Sequence, residues 1–142
     1  MKKFILGFVA ALIVTAIVYF AYPIIRGFFS GGGPVSPENL KPGVKDYGSL
    51  RVEIFGRGNP LADVEVDLGE IGSNGPTGPM SFAVTDSSGV ASFEKVPIGN
   101  YDIFFNAYHF PSEYNLPQPD RVSVSIVKDQ ITQKRIDLAP KQ

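Results

Sequence analysis

Two patterns of apolar residues divide the chain. Residues 4–25 run without a charge and are rich in Ile, Val, Leu, Phe and Ala. As a helix, this stretch rises roughly 33 Å, enough to cross a bilayer. Beyond residue 49 the apolar residues alternate with polar ones in short runs bounded by Gly, Pro, Asn or Asp, the pattern of antiparallel strands. Between the two lies a stretch from residue 30 to 43 with no apolar period. It opens Ser30-Gly31-Gly32-Gly33-Pro34 and reads as a spacer that is flexible first and extended afterwards. The pattern predicts a transmembrane anchor over residues 1–29, a Gly/Pro-rich linker over 30–47 and one domain over 48–142.

The alternation predicts seven strands. Leu50, Val52 and Ile54 share one face of the first, with Arg51 and Glu53 on the other. The second sets Val64, Val66 and Leu68 inward and Asp63, Glu65 and Asp67 outward, and the third sets Met80, Phe82 and Val84 inward. A turn follows at Asp86-Ser87-Ser88-Gly89, where Asp bonds its own backbone and Gly takes positive φ. The fourth run leads from Val90 to Phe93. After a corner at Val96-Pro97-Ile98-Gly99-Asn100, the fifth has Tyr101, Ile103, Phe105 and Ala107 on one face and Phe104 on the other. Val122, Val124 and Ile126 mark the sixth, and Ile131 to Leu138 the seventh. Strands with one apolar face bury it against a second sheet. The expected fold is therefore an all-β, seven-stranded antiparallel β-sandwich preceded by one N-terminal transmembrane α-helix. Its expected core is Leu50, Val52, Ile54, Val64, Val66, Phe82, Val84, Phe93, Tyr101, Ile103, Phe105, Val122, Val124, Ile126 and Leu138.

The flanks of the apolar run set its orientation. Lys2 and Lys3 precede it and only Arg26 follows closely, which keeps the amino terminus cytoplasmic and the domain extracytoplasmic. The run is longer than the h-region of a cleaved signal peptide. It ends in Tyr19-Phe20-Ala21-Tyr22-Pro23, where a peptidase needs small residues, so a retained signal anchor is expected.

Three segments carry a family resemblance: Pro60-Leu61-Ala62-Asp63-Val64-Glu65-Val66, then Thr85-Asp86-Ser87-Ser88-Gly89-Val90-Ala91-Ser92-Phe93, then Val96-Pro97-Ile98-Gly99-Asn100-Tyr101-Asp102-Ile103. In this order they resemble the carboxypeptidase regulatory-like domains, whose fold is a transthyretin-like (prealbumin-like) seven-stranded sandwich. The quoted residues form a turn and a corner and carry no chemistry. The resemblance implies a binding or spacing role and not peptidase activity.

Composition narrows the chemistry. Thirteen Lys and Arg stand against fourteen Asp and Glu, so no charge field favours nucleic acid as a partner. The absence of cysteine excludes disulfides, thiolate metal sites and a cysteine nucleophile. The single histidine, His109, needs converging carboxylates to hold zinc, and no G-x-S-x-G elbow accompanies it. Asp63, Glu65, Asp67 and Glu70 could attract calcium, but alternate residues of a flat strand point outward in parallel, so a solvated face is expected. No catalytic, cofactor or metal site is therefore expected. Gly69, Gly72, Gly75 and Gly78 recur at every third residue, too briefly for a triple helix, and read as a flexible loop.

The candidate interaction loop holds Tyr108, His109, Phe110, Tyr114 and Leu116. Its rings either cover an open end of the sandwich or form a contact patch. The expected partners are the lipid bilayer, through residues 4–25, and a protein in or on the membrane, with a glycan as the alternative. The function expected is that of a non-enzymatic, membrane-anchored interaction module: a surface protein or an accessory subunit of a membrane complex. The alternative is a cell-envelope binder of carbohydrate or peptide.

Overall fold

A computed structural model describes residues 35–70 and 80–142. The expected anchor over residues 1–29 and most of the glycine-rich loop lie outside the described residues. Among the described residues, no helix is long and apolar enough to cross a membrane.

The strands are β1 (Tyr47–Gly56), β2 (Asn59–Pro60), β3 (Glu65–Glu70), β4 (Met80–Val84), β5 (Val90–Pro97), β6 (Gly99–Phe104), β7 (Val122–Ile126) and β8 (Ile131–Leu138), preceded by a 3-10 turn at Pro37–Asn39. They form two sheets. In one, β1 pairs with β2, β5 and β8; in the other the order is β4-β3-β6-β7. Between them lie Leu50, Val52 and Ile54 from β1, Val66 and Leu68 from β3, and Tyr101 and Ile103 from β6, all fully buried. Strand alternation places each apolar set on one face, and closing the two faces together removes both from water.

One strand departs from the expected antiparallel arrangement. β8 runs parallel to β1 over the whole register from Ser49↔Ile131 to Gly56↔Leu138. The turn at Lys128-Asp129, where Asp129 has φ 55°, carries the chain from the β7 edge of one sheet to the β1 edge of the other. The hairpin therefore does not pair its own strands, and β8 takes the direction that β7 leaves it.

A second correction concerns β4. Val66 lies opposite Ala83 and Leu68 opposite Ser81, so Ala83 and Ser81 share the core face, and Met80, Phe82 and Val84 face outward. Thr85 fixes this phase. Its buried hydroxyl accepts the Val64 N–H at 2.9 Å and donates to the Leu61 carbonyl at 2.7 Å. Phe82 and Val84, expected in the core, are instead 42% and 49% exposed. The core gains Leu40, Leu68, Ala91, Val96, Tyr114 and Ile136, and Phe105 and Val122, expected in it, are half-buried against its rim.

Leu40 packs into the core of the sandwich. Residues 34–142 form one compact unit, and Leu40, in the expected linker, is 1% exposed. The Val35 N–H donates to the Met80 carbonyl at 2.8 Å, and Lys41 lies 4.9 Å above the Tyr101 ring with its ammonium 3.1 Å from Glu70.

The turn and corner behave as their residues dictate. The Asp86 carboxylate accepts the N–H groups of Ser88 and Val90, and Gly89 has φ 75°. A Cβ on Gly89 would lie 2.7 Å from the Ile54 carbonyl, so both backbone conformation and space require glycine. At the corner, the buried Tyr101 hydroxyl donates to the Pro97 carbonyl at 2.8 Å. Burial, and then the negative charge of Glu70, push the Tyr101 pKa up. The raised value means that Tyr101 contributes stability that is fully present below the ordinary tyrosine pKa of about 10 and is lost as pH rises beyond it. Tyr101→Phe should cost about 0.5–1.5 kcal/mol at pH 7, the worth of the hydrogen bond. The gap between the two proteins should shrink at pH 11. Urea unfolding midpoints at both pH values check this, and a gap that stays constant would contradict the assignment.

Candidate functional site

The outer face of the β4-β3-β6-β7 sheet differs from the solvated acidic stripe expected there. Glu65 and Asp67 do face outward, but they are 9% and 2% exposed. The register explains their setting: Glu65 lies opposite Val84, and Asp67 lies between Phe82 on β4 and Phe104 on β6. A face read as polar thus carries apolar side chains on the flanking strands, with carboxylates between them. Phe104, apolar on the outward side of its strand, was the signal in the sequence. The two other acids of the expected cluster point elsewhere. Glu70 pairs with Lys41, and Asp63 is exposed beyond the strand with φ 60°. Among the described residues, no group of three or more His, Cys, Asp or Glu is placed to hold a metal ion.

Residues 105–121 leave β6, cross the end of the sandwich and return to β7. Asn106 starts the segment with an Asx turn, its side chain accepting the Tyr108 N–H at 3.1 Å and its carbonyl the His109 N–H at 3.0 Å. His109 turns back onto the sheet, with Nδ1 3.3 Å from Glu65 Oε2. Phe110 meets Phe105 edge to face at 5.3 Å, and both pack against the core. Tyr114 is 6% exposed. The segment is bound to the chain beyond β8, because the Asn115 N–H donates to the Ala139 carbonyl and the Lys141 N–H to the Glu113 carbonyl. At its far end Arg121 lies 3.9 Å from Asp102, which also accepts the Ser123 hydroxyl at 2.8 Å.

Of the five residues expected in the interaction loop, the fold separates two groups. Tyr114, Phe110 and Leu116 are buried or half-buried, and Tyr108 stands 91% exposed with His109 beside it. Spacing alone did not distinguish them. Gly56 on β1 holds the key to Tyr114, since a Cβ there would collide with the hydroxyl end of the Tyr114 ring. Gly56→Ala should therefore displace Tyr114 and lower stability by about 1–3 kcal/mol. Thermal unfolding measures the loss, and tryptic cleavage at Arg121 should speed up as the segment loosens. An unchanged melting temperature would show that Tyr114 does not seat on Gly56.

No family model and no curated protein matches the chain. Several solved structures share its fold. The minor pilin GBS52 of Streptococcus agalactiae is 21% identical, with a TM-score of 0.57, over 70% of this chain and 47% of that one. The Bacillus anthracis TIE protein is 17% identical, with a TM-score of 0.55, over 67% of this chain and 17% of that one. BcpA, the major pilin subunit of Bacillus cereus, is 21% identical, with a TM-score of 0.54, over 68% of this chain and 31% of that one. The chain thus spans less than half the length of each of these proteins. What it shares with them is the two-sheet sandwich, which is consistent with a transthyretin-like fold.

Proposed function

We propose that the chain is a non-enzymatic, membrane-anchored interaction module of the carboxypeptidase regulatory-like type, displayed outside the cytoplasm as a surface protein or as an accessory subunit of a membrane complex. The observation that carries this reading is the build of residues 105–121. Phe105, Phe110 and Tyr114 fasten the segment to the core, and Tyr108 is left 91% exposed at its tip. A loop held by a rigid sandwich and ending in an open aromatic ring is suited to meeting a partner. The apolar run over residues 4–25, with Lys2 and Lys3 before it, supports the anchor and its orientation. The pilin subunits that share the sandwich support the choice of fold, and the quoted turn and corner support the family type.

A glycan or peptide is the second reading, favoured by the same open ring, since Tyr presents an apolar face and a polar edge to a ligand. A platform of three rings would need Tyr114 and Phe110 in water. The stacking role therefore falls to Tyr108.

Purification of the intact protein from its own membranes in mild detergent should bring down membrane proteins in fixed ratio. Tyr108→Ala should deplete them severalfold without changing the melting temperature. A chain that purifies alone would sink the accessory-subunit reading. Retention on a glycan array that Tyr108→Ala abolishes would establish the second.

A further inference from the structure

Sheet edges expose unpaired main-chain groups, and proteins protect them with charges, prolines, bulges or covering segments. The described strands follow this rule with one exception. The β8 edge carries Lys134, Arg135 and Asp137, and β5 carries Glu94 and Lys95, the latter with φ 51°. At β7 the Ser125 carbonyl accepts the Thr132 hydroxyl from β8. β4, an edge strand reading Met80-Ser81-Phe82-Ala83-Val84, has no charge, no proline and no break in its register with β3.

The main-chain groups of β4 can be sorted by side. Thr85 exchanges bonds with Asp63 and Val64 on the β3 side, so Ala83 and Ser81 also turn their N–H and C=O toward β3. Met80, Phe82 and Val84 turn theirs away. The Met80 carbonyl is occupied by the Val35 N–H at 2.8 Å, which shows that this edge accepts a main-chain partner. Phe82 and Val84 have no such partner among the described residues, and their side chains are 42% and 49% exposed.

We propose that this edge pairs with the same edge of a second copy of the chain, β4 antiparallel to β4, about a two-fold axis through Ala83. Three observations select this occupant and this register. The strand is uncharged, so a copy meets no like charge, as it would at β8 or β5. Among the described residues, both main-chain groups are without a partner on this side only at Phe82 and Val84, with Val35 on the Met80 carbonyl at one end and the Asp86 turn beginning at the other. The register about Ala83 sets Phe82 opposite Val84 of the second copy, and Val84 opposite its Phe82. Each pair exchanges two hydrogen bonds, so the N–H and C=O groups of Phe82 and Val84 are satisfied at once. The same register brings the exposed Phe82 and Val84 side chains into cross-strand contact on the outer face. It also joins the two sheets into one continuous sheet, in an isologous interface.

The chain contains no cysteine, so introduced thiols report on single positions. Ala83 sits on the axis as a non-hydrogen-bonded pair, where Cα atoms approach to about 4.5 Å, within the range a disulfide spans. The full chain in detergent, loaded at high concentration, should run as a dimer by light scattering. Ala83→Cys should crosslink under mild oxidation at least tenfold faster than Gln133→Cys on the β8 edge. Phe82→Lys, which places a charge on the exposed edge, should return the protein to monomer with its β-sheet circular dichroism spectrum unchanged and a melting temperature that no longer depends on protein concentration. A wild type that stays monomeric at every loading overturns the proposal. So does a dimer that survives Phe82→Lys, since that dimer would be made elsewhere in the chain, and so does equal crosslinking at the two cysteines.

Discussion

The two-sided ladder of β1 is the interaction on which the rest of the domain depends. Along one side β1 bonds β8 in parallel over eight register pairs, and along the other it bonds β5 from Tyr47 to Glu53 and β2 at Phe55 and Gly56. Because both edges are taken, Leu50, Val52 and Ile54 cannot slip without reversing every inward residue of the strand. They form the floor against which β3 and β6 lay Val66, Leu68, Tyr101 and Ile103. The Gly89 turn is tied to the same strand, since the Ile54 N–H donates to the Gly89 carbonyl. Gly56, its last residue, receives the Tyr114 ring and thereby seats the segment that presents Tyr108. Core, turn and loop are thus referred to a single strand.

The second sheet works under a looser constraint, and its surface is more varied as a result. β3 is held on both sides, but among the described residues β4 pairs with a strand on one side only. Thr85 sets the phase of β4 by satisfying two backbone groups of the 61–64 segment, and that phase turns Phe82 and Val84 away from the core. The small Ser81 and Ala83 take the inner positions. The outer face that results carries Glu65 and Asp67 between apolar neighbours, with His109 brought back onto Glu65 by the Asn106 turn. A hydrogen-bond requirement in a loop therefore decides which side chains the sheet presents outward.

Much of this fold was legible in the chain. Period-two alternation located the strands, and the Asp86-Ser87-Ser88-Gly89 and Pro97-Ile98-Gly99 punctuation located the turn and corner. What escaped has definite physical causes. Alternation gives the period of a strand but not its phase when small and large residues alternate, so Met80-Ser81-Phe82-Ala83-Val84 was read inside out. The direction of β8 depends on where a hairpin crosses between sheets, a tertiary choice that no local signal records. Leu40 lies among prolines and glycines, where no period marks it as core. In the candidate loop, composition found the aromatic cluster. Which ring is buried depends on a glycine more than fifty residues earlier, at position 56.

The parallel placement of β1 beside β8 also decides how the domain carries load. β1 is entered from the amino-terminal side at Tyr47, and the chain leaves β8 at Leu138, at the opposite end of the shared ladder. A pull through the residues before β1 and those after β8 therefore draws two neighbouring strands past each other along their length. Their connecting bonds are strained together in shear and do not open one by one like a zipper. Two strands of the same sheet in antiparallel order would bring both points of attachment to one end and peel apart under far less force. The single strand that breaks the antiparallel rule thus sets the start of β1 and the end of β8 at opposite ends of one ladder, the arrangement in which a pull on the two strands loads their bonds in shear.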